Sequence, residues 1–246
     1  VTQQQQPVYE NVAVIGAGGA IGGAFIELLK NRHGTRHIHA FSRTARADAS
    51  PPVVSHPLDY EDETSIERAA TLAASHGPLH LVLATVGILH DGELMPEKSL
   101  RDLSAEKFQR LFMANTIVPA LLAKYFLPRL DKDARSVFAA LSARVGSISD
   151  NRIGGWYAYR ASKAALNMVI KNAALETGRR CKQAVVVGLH PGTVDSALSK
   201  PFQRSVPQGK LFPPEYAAAR LMQVLDRLTP TAGGKCFAWD GQEVEP

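Results

Sequence analysis

The sequence predicts a single doubly wound α/β domain: a seven-stranded parallel sheet with helices on both faces. Three observations point there. Short, nearly continuous apolar runs alternate with amphipathic stretches along the chain. Strands covered on both faces read as such runs, and parallel neighbours need helical crossovers. No repeat, charge block or linker divides the 246 residues, so one domain is expected over residues 11–246.

Residues 1–10 are polar and glutamine-rich and are expected to form a flexible tail. They lack the basic-then-apolar order of a secretory signal. Residues 12–15 are the first strand, and a helix over 20–30 ends near His33-Gly34. The second strand is 37–41. A loop of small residues and prolines, 45–52, leads to a third strand over 53–58. Apolar residues at helical spacing over 61–75 stop at Gly77-Pro78, and 79–85 is a fourth, fully buried strand. A long helix carrying Pro119 is expected over 104–127 and a fifth strand over 136–141. Residues 156–177 form a helix ended by Gly178, 184–189 a sixth strand, 215–228 a helix and 235–239 the last strand. Two long loops, 86–103 and 191–214, are placed to cover a substrate. They carry Leu89, Met95, Leu198, Phe202 and Leu211, an apolar set that names no ligand.

Composition removes several function classes. Apolar residues are 45% and charged residues 21%, which excludes a disordered or collagen-like chain. The formal charge of +5 is spread along the sequence and does not indicate nucleic acid. Arg32, Arg36, Arg43 and Arg46 cluster around the second strand, but only Phe41 is near them. A nucleic-acid module needs interleaved aromatics, so a phosphate-bearing cofactor is the simpler explanation. Cys181 and Cys236 form no Cys-x-x-Cys pair. That excludes a zinc ribbon or thioredoxin motif and suits a reducing, cytoplasmic compartment. No run of about 18 apolar residues occurs, so no membrane span is expected. The eight histidines make no metal pattern, and no metal is expected. His37 and His39 alternate on one strand, and His190 is given a structural role before Pro191.

The glycine cluster after the first strand carries the first functional signal. Gly16, Gly18, Gly19, Ala20, Ile21 and Gly22 span a strand end and a helix start. There a glycine permits a tight turn, small residues allow close packing, and helix amides point at a pyrophosphate. Ordinary turns also use glycine, but this placement favours a dinucleotide. No Gly-Lys-Ser/Thr follows, so this is not a nucleoside triphosphate loop. The second strand ends Ser42-Arg43 with no acid at its tip. A guanidinium and a hydroxyl there suit a 2′-phosphate and favour NADP over NAD; the plain alternative is a solvated arginine. Asp59 is placed to meet the adenine amino group or to cap the next helix.

Tyr159 and Lys163 stand four apart on an expected helix and share a face. A phenol titrates near pH 10, and a neighbouring ammonium lowers that value. Such a tyrosine passes a proton to a carbonyl oxygen as hydride reaches carbon. No Gly-x-Ser-x-Gly surrounds Ser142, which argues against a hydrolase.

At this point the chain resembles the short-chain dehydrogenase/reductase family over nearly its whole length. The matching pieces are the glycine turn, Asn115, a serine after the fifth strand, Tyr159-x-x-x-Lys163 and Pro191-Gly192-Thr193. The stretches 146–151 and 154–167, with the closing 237–241, look like the subgroup of sniffer-type carbonyl reductases and bacterial C-factor proteins. The resemblance implies a Rossmann-type fold and hydride transfer between NADPH and a carbonyl or alcohol. Tyr159 would be the acid/base and Lys163 would lower its pKa and hold the nicotinamide ribose. Ser142 would hold the substrate carbonyl, and Asn115 would position a relay water. Pro191, Gly192 and Thr193 would border the nicotinamide. It also implies a dimer or tetramer through the long helices, which the apolar Ala164, Leu166, Met168 and Ile170 permit; core packing explains them equally. The C-factor likeness keeps open a nucleotide-binding signalling protein with incidental catalysis.

Three departures from the family pattern stand out. Ala84-Thr85-Val86-Gly87 replaces the Asn-Asn-Ala-Gly motif, keeping Gly87 for the turn and offering Thr85 for the lost hydrogen bonds. Ile15 stands where a threonine is common. The serine register is open: counted from the strand, Ser142 takes the catalytic place; counted back from Gly146, Ala143 takes it and Ser147 would substitute.

Overall fold

Along the first strand, Val12 and Val14 bury into one core cluster while Ala13 and Ile15 bury into another. That alternation is the period of two of an extended chain, here apolar on both faces. The computed structural model describes residues 6–45, 50–92 and 94–246. Its elements run β1 (Asn11–Ile15), α1 (Ala20–Lys30), β2 (His37–Ser42), β3 (Val53–Pro57), α2 (Glu63–Ala73) and β4 (Leu81–Ala84). Then come α3 (Ala105–Phe112), α4 (Val118–Phe126), β5 (Ser136–Leu141), α5 (Tyr157–Arg180) and β6 (Ala184–His190). The chain closes with β7 (Thr193–Val194), β8 (Leu211–Phe212), α6 (Pro214–Arg227), β9 (Cys236–Ala238) and β10 (Glu243–Val244).

The sheet order is β10-β9-β6-β5-β4-β1-β2-β3. Helices α1 and α6 cover one face; α2, α4 and α5 cover the other. The seven expected strands are the parallel part. An eighth, β10, adds antiparallel to β9, and its two residues are too few to carry a periodic signal. The order in which strands are added reverses between β1 and β4, where the crossovers pass to opposite sides. A crevice opens there at the strand tips.

Several local expectations change. The expected helix over 104–127 is two helices joined by a π-turn, Met113–Ile117. Pro119 has no N–H to give the carbonyl of Asn115, four residues back, so the regular ladder cannot continue. By length and composition alone the stretch Ala105–Arg129 is long and apolar enough to cross a membrane, although no unbroken apolar run of about 18 residues occurs in it. Val118, Leu122 and Phe126 are buried in the core, which accounts for its apolar character.

The tail expected over 1–10 does not extend to residues 7–10. Tyr9 is fully buried, with the guanidinium of Arg32 4.9 Å from its ring centroid. The carbonyl of Glu10 accepts from Arg36 and His37 N–H. Residues 1–5, Arg46 and the rest of 46–49, and position 93 lie outside the described residues. The basic cluster disperses: Arg32 pairs with Asp226 at 2.8 Å and Arg36 with Glu10 at 3.3 Å. On α5, Leu166 and Ile170 enter the core and Met168 faces outward. Both cysteines are free and buried.

Candidate active site

The crevice holds a cavity of about 650 Å³. One wall is the turn from β1 into α1. Gly16 takes φ +91, and a Cβ there would come 2.6 Å from Thr85 Oγ1. A Cβ on Gly22 would sit 2.3 Å from the carbonyl oxygen of Gly16. Only glycine lets helix and strand approach this closely. Thr85 Oγ1 donates to the carbonyl of Ile15 at 2.8 Å, so Thr85 ties the tip of β4 to β1. Helix α1 starts at Ala20 with no side-chain cap and no acidic residue in its first turn. Its first amides and positive dipole end face the cavity through Gly19, Ala20 and Ile21.

Arg43, just past β2, also lines the cavity. Ser42 is turned inward instead, and its Oγ donates to the carbonyl of Thr44 at 2.6 Å. Asp59 is exposed and accepts the Glu61 N–H at 2.9 Å. It does not cap α2; Asp62 does, through the Thr64 N–H.

The opposite wall is α5 with the tips of β5 and β6. Tyr159 and Lys163 share one helical face, 8% and 3% exposed, and both line the cavity. Lys163 Nζ donates to the carbonyl of Leu141 at 2.8 Å and lies 5.9 Å from the Tyr159 ring centroid. The lowered phenol expected from that neighbour is not what the fold sets up. Burial alone pushes Tyr159 up to about 12, and burial likewise brings Lys163 down to about 8. Both groups lose more hydration than their separation returns in attraction.

Asn115 sits on the π-turn behind this pair. Its Oδ1 accepts the Ile88 N–H at 2.8 Å, and its Nδ2 donates to the carbonyl of Ile88 at 2.9 Å and to Ser162 Oγ at 3.1 Å. A Cβ on Gly87 would come 3.0 Å from Asn115 Oδ1 and 3.3 Å from Lys163 Nζ. Pro191, Gly192 and Thr193 edge the cavity beyond β6.

The serine register takes a definite geometry. The Ser142 N–H donates to Leu189 O, and its Oγ donates to Asn167 Oδ1 at 2.6 Å rather than to Tyr159. Its hydroxyl also meets the thiol of Cys236, which burial pushes up to about 11. Ala143 packs in one apolar cluster with Tyr159, Leu89 and Ala158. Ser147 does not fill that place: its Oγ neighbours Ser149 and the carbonyl of Pro246.

The sequence places Trp156 and Asn167 in the 154–167 stretch with no role of their own, and singles out neither Tyr60 nor Glu97. Tyr60 bonds the backbone of Gly16. Asn167 was findable, since it lies four residues after Lys163 on the same helix. Glu97 leaves no local pattern, because its contacts lie some sixty residues away.

A glycine turn facing a buried Tyr–Lys face across the strand tips is the arrangement of an oxidoreductase on a dinucleotide-binding fold. Within that class the chain belongs to the short chain dehydrogenase family, whose sequence pattern matches residues 10–206. It is similar to C-signal of Myxococcus xanthus, 33% identical over 146 residues, 59% of this chain and 82% of that protein. It is equally similar to 1-hydroxy-2-glutathionyl-2-methyl-3-butene dehydrogenase of Rhodococcus sp. (strain AD45), 33% identical over 180 residues, 73% of this chain and 76% of that protein. Among solved structures, the NADPH-bound carbonyl reductase from chicken fatty liver superposes with a TM-score of 0.85 at 23% identity, covering 98% of this chain and all of that one (100%). The carbonyl reductase Sniffer of D. melanogaster gives 0.83 at 19% identity, covering 96% and 99%. The expected likeness to C-factor proteins is thus found in sequence, and the sniffer-type carbonyl reductases share the fold.

Proposed function

We propose that this protein is an NADP-dependent oxidoreductase that moves hydride between NADPH and a carbonyl or alcohol. One observation carries the reading: Tyr159 and Lys163 are buried together in the wall of a crevice whose other wall is an uncapped helix start with space only for glycine. The residues present fit the dinucleotide. The free amides of α1 suit its pyrophosphate, and Arg43 suits a 2′-phosphate. Asp59 stands near the tip of β3, on the side where adenine would lie. Thr85, Gly87 and Pro191 to Thr193 would border the nicotinamide half, with Lys163 on its ribose. The bound cofactor supplies the hydride.

The chain's own residues do the rest. Tyr159, protonated at neutral pH by its burial, donates its phenolic proton to the carbonyl oxygen of a substrate. Lys163, anchored to Leu141, offsets charge that grows on the phenolic oxygen. Asn115 fastens the strand-tip loop and the helix behind Lys163, which suits a relay position. Ser142 orients Asn167, and Ala143 occupies the place beside Tyr159. Ser142 also lines the cavity, but with its proton committed to Asn167, which assigns the substrate oxygen to Tyr159 as hydroxyl donor. This last assignment favours a second reading, a nucleotide-binding signalling protein with slow turnover, which the likeness to C-signal also supports.

Tyr159→Phe decides between them. It should keep NADPH affinity and lose turnover of a carbonyl panel by orders of magnitude. Unchanged turnover refutes the assigned acid; NADPH binding without turnover in the unaltered protein favours the signalling reading.

A further inference from the structure

Helix α5 begins on a strained turn held at Gly154 by Asn151 Oδ1, at Gly155 by Arg160 Nε, and at Trp156 from a distant loop. Gly154, Gly155 and Trp156 are all left-handed, at φ 70, 65 and 51, and Trp156 provides no side-chain cap. A bulky aromatic residue adopts that conformation only when its surroundings impose it. Glu97, from the loop between β4 and α3, imposes it. Its carbonyl accepts the Trp156 N–H at 2.6 Å, and its Oε2 accepts the Ala158 N–H at 3.3 Å. Glu97 is 1% exposed, and its Oε1 has no partner among the described residues. Burying a carboxylate this deeply is costly, and the positive end of a helix with orphan amides is what offsets it.

The turn places a ring at the crevice. Trp156 lies 5.1 Å from Phe202 and 6.2 Å from Tyr159, centroid to centroid. Phe202 comes from the 191–214 loop and also meets His90 at 5.8 Å. His90 Nε2 donates to the carbonyl of Ala197 at 3.2 Å, tying the two long loops together. Trp156, Phe202, Leu89 and Val145 line the cavity, and no acidic side chain does so among its described lining residues.

We infer that Glu97 is a positioning residue: by clamping the turn before α5 it holds Trp156 and Phe202 as a ring wall beside Tyr159, and that wall selects carbonyls bearing a flat aromatic group. The inference rests on the carbonyl reduction proposed above. A planar substituent gains stacked or edge-on contact with two rings already fixed in place, which a flexible chain of equal size does not.

Acetophenone and 2-octanone, equal in carbon count, separate the two cases with NADPH as donor. The unaltered protein should prefer acetophenone in kcat/KM by roughly tenfold, the factor that about 1.4 kcal/mol of ring contact yields. Trp156→Leu and Phe202→Leu should each erase most of that preference without changing NADPH affinity. Glu97→Ala should raise KM for acetophenone and leave NADPH affinity unchanged, and Glu97→Gln, which keeps an acceptor for the Ala158 N–H, should restore it. Equal kcat/KM for the two ketones overturns the inference, as does a Glu97→Ala protein that weakens both ketones and NADPH alike. If Glu97→Ala fails to fold, the two leucine variants decide. NADPH binding with no turnover of either ketone overturns the reduction reading itself, and this inference with it.

Discussion

Ser142 Oγ donates to Asn167 Oδ1 at 2.6 Å, binding the tip of β5 to α5 one turn beyond Lys163. The next residue, Ala143, packs with Tyr159. Ser142→Ala should therefore lower stability by about 1–3 kcal/mol, because Asn167 Oδ1 loses its donor, and should change kcat by only a few-fold. Ala143→Ser should raise kcat by roughly tenfold or more, since a hydroxyl beside Tyr159 adds a donor where charge develops. Thermal melts and steady-state kinetics on both variants test this. Abolished turnover in Ser142→Ala, with Ala143→Ser neutral, would return the substrate-holding role to Ser142.

Arg43 lines the cavity just past the end of β2. Arg43→Ala should weaken NADPH by roughly tenfold to a hundredfold, the range of a hydrogen bond to a charged group, and leave NADH nearly unaffected. Nicotinamide fluorescence titrations give both constants. Equal weakening of the two cofactors would remove Arg43 as the phosphate reader.

Two glycines predict opposite signs. Gly22→Ala puts a Cβ 2.3 Å from the Gly16 carbonyl oxygen, so the turn must open, and both melting temperature and NADPH affinity should fall. Gly178, inside α5, has nothing within 4 Å of an added Cβ. Gly178→Ala should raise stability by up to ~1 kcal/mol. A stable, fully binding Gly22→Ala protein would contradict the packing described at the β1–α1 turn.

His39 is buried in a stack of imidazoles, with Nδ1 3.4 Å from His56 Nε2 and its ring 5.5 Å from that of His76. Burial first, then His56, His76 and His37, hold it down at about 4 from 6.5, and burial lowers His56 as well. The folded protein keeps His39 neutral where the unfolded chain already binds a proton. Stability present above pH 6.5 is therefore lost progressively as pH falls towards 4. Melting temperatures across that window should drop, and His39→Phe should flatten the drop. An identical slope in that variant would assign the acid sensitivity elsewhere.

Most of the fold was legible because buried parallel strands write themselves as apolar runs; β10, with two residues, had no run to write. The break at Met113–Ile117 hid inside a continuous helical pattern, although Pro119 marked its place. Tyr159, Lys163 and the glycine turn were readable from spacing because each lies within one local element. Ser142 and Ala143 were not separable, since adjacent residues at a strand tip point in opposite directions and a shift of one exchanges them. The sequence offers Asp59 as an adenine contact or a helix cap, and the cap falls instead to Asp62, where the chain enters α2. Phe202 stands out within its loop, but its ring partners, like the contacts of Glu97, lie across long sequence distances where no periodicity operates.

The amide of Asn115 meets Ile88 with both its donor and its acceptor, so one side chain imitates a neighbouring peptide. The root of the long loop is thereby pinned to the π-turn, and Gly87 keeps its place against Lys163 however the exposed tip around Asp91 varies.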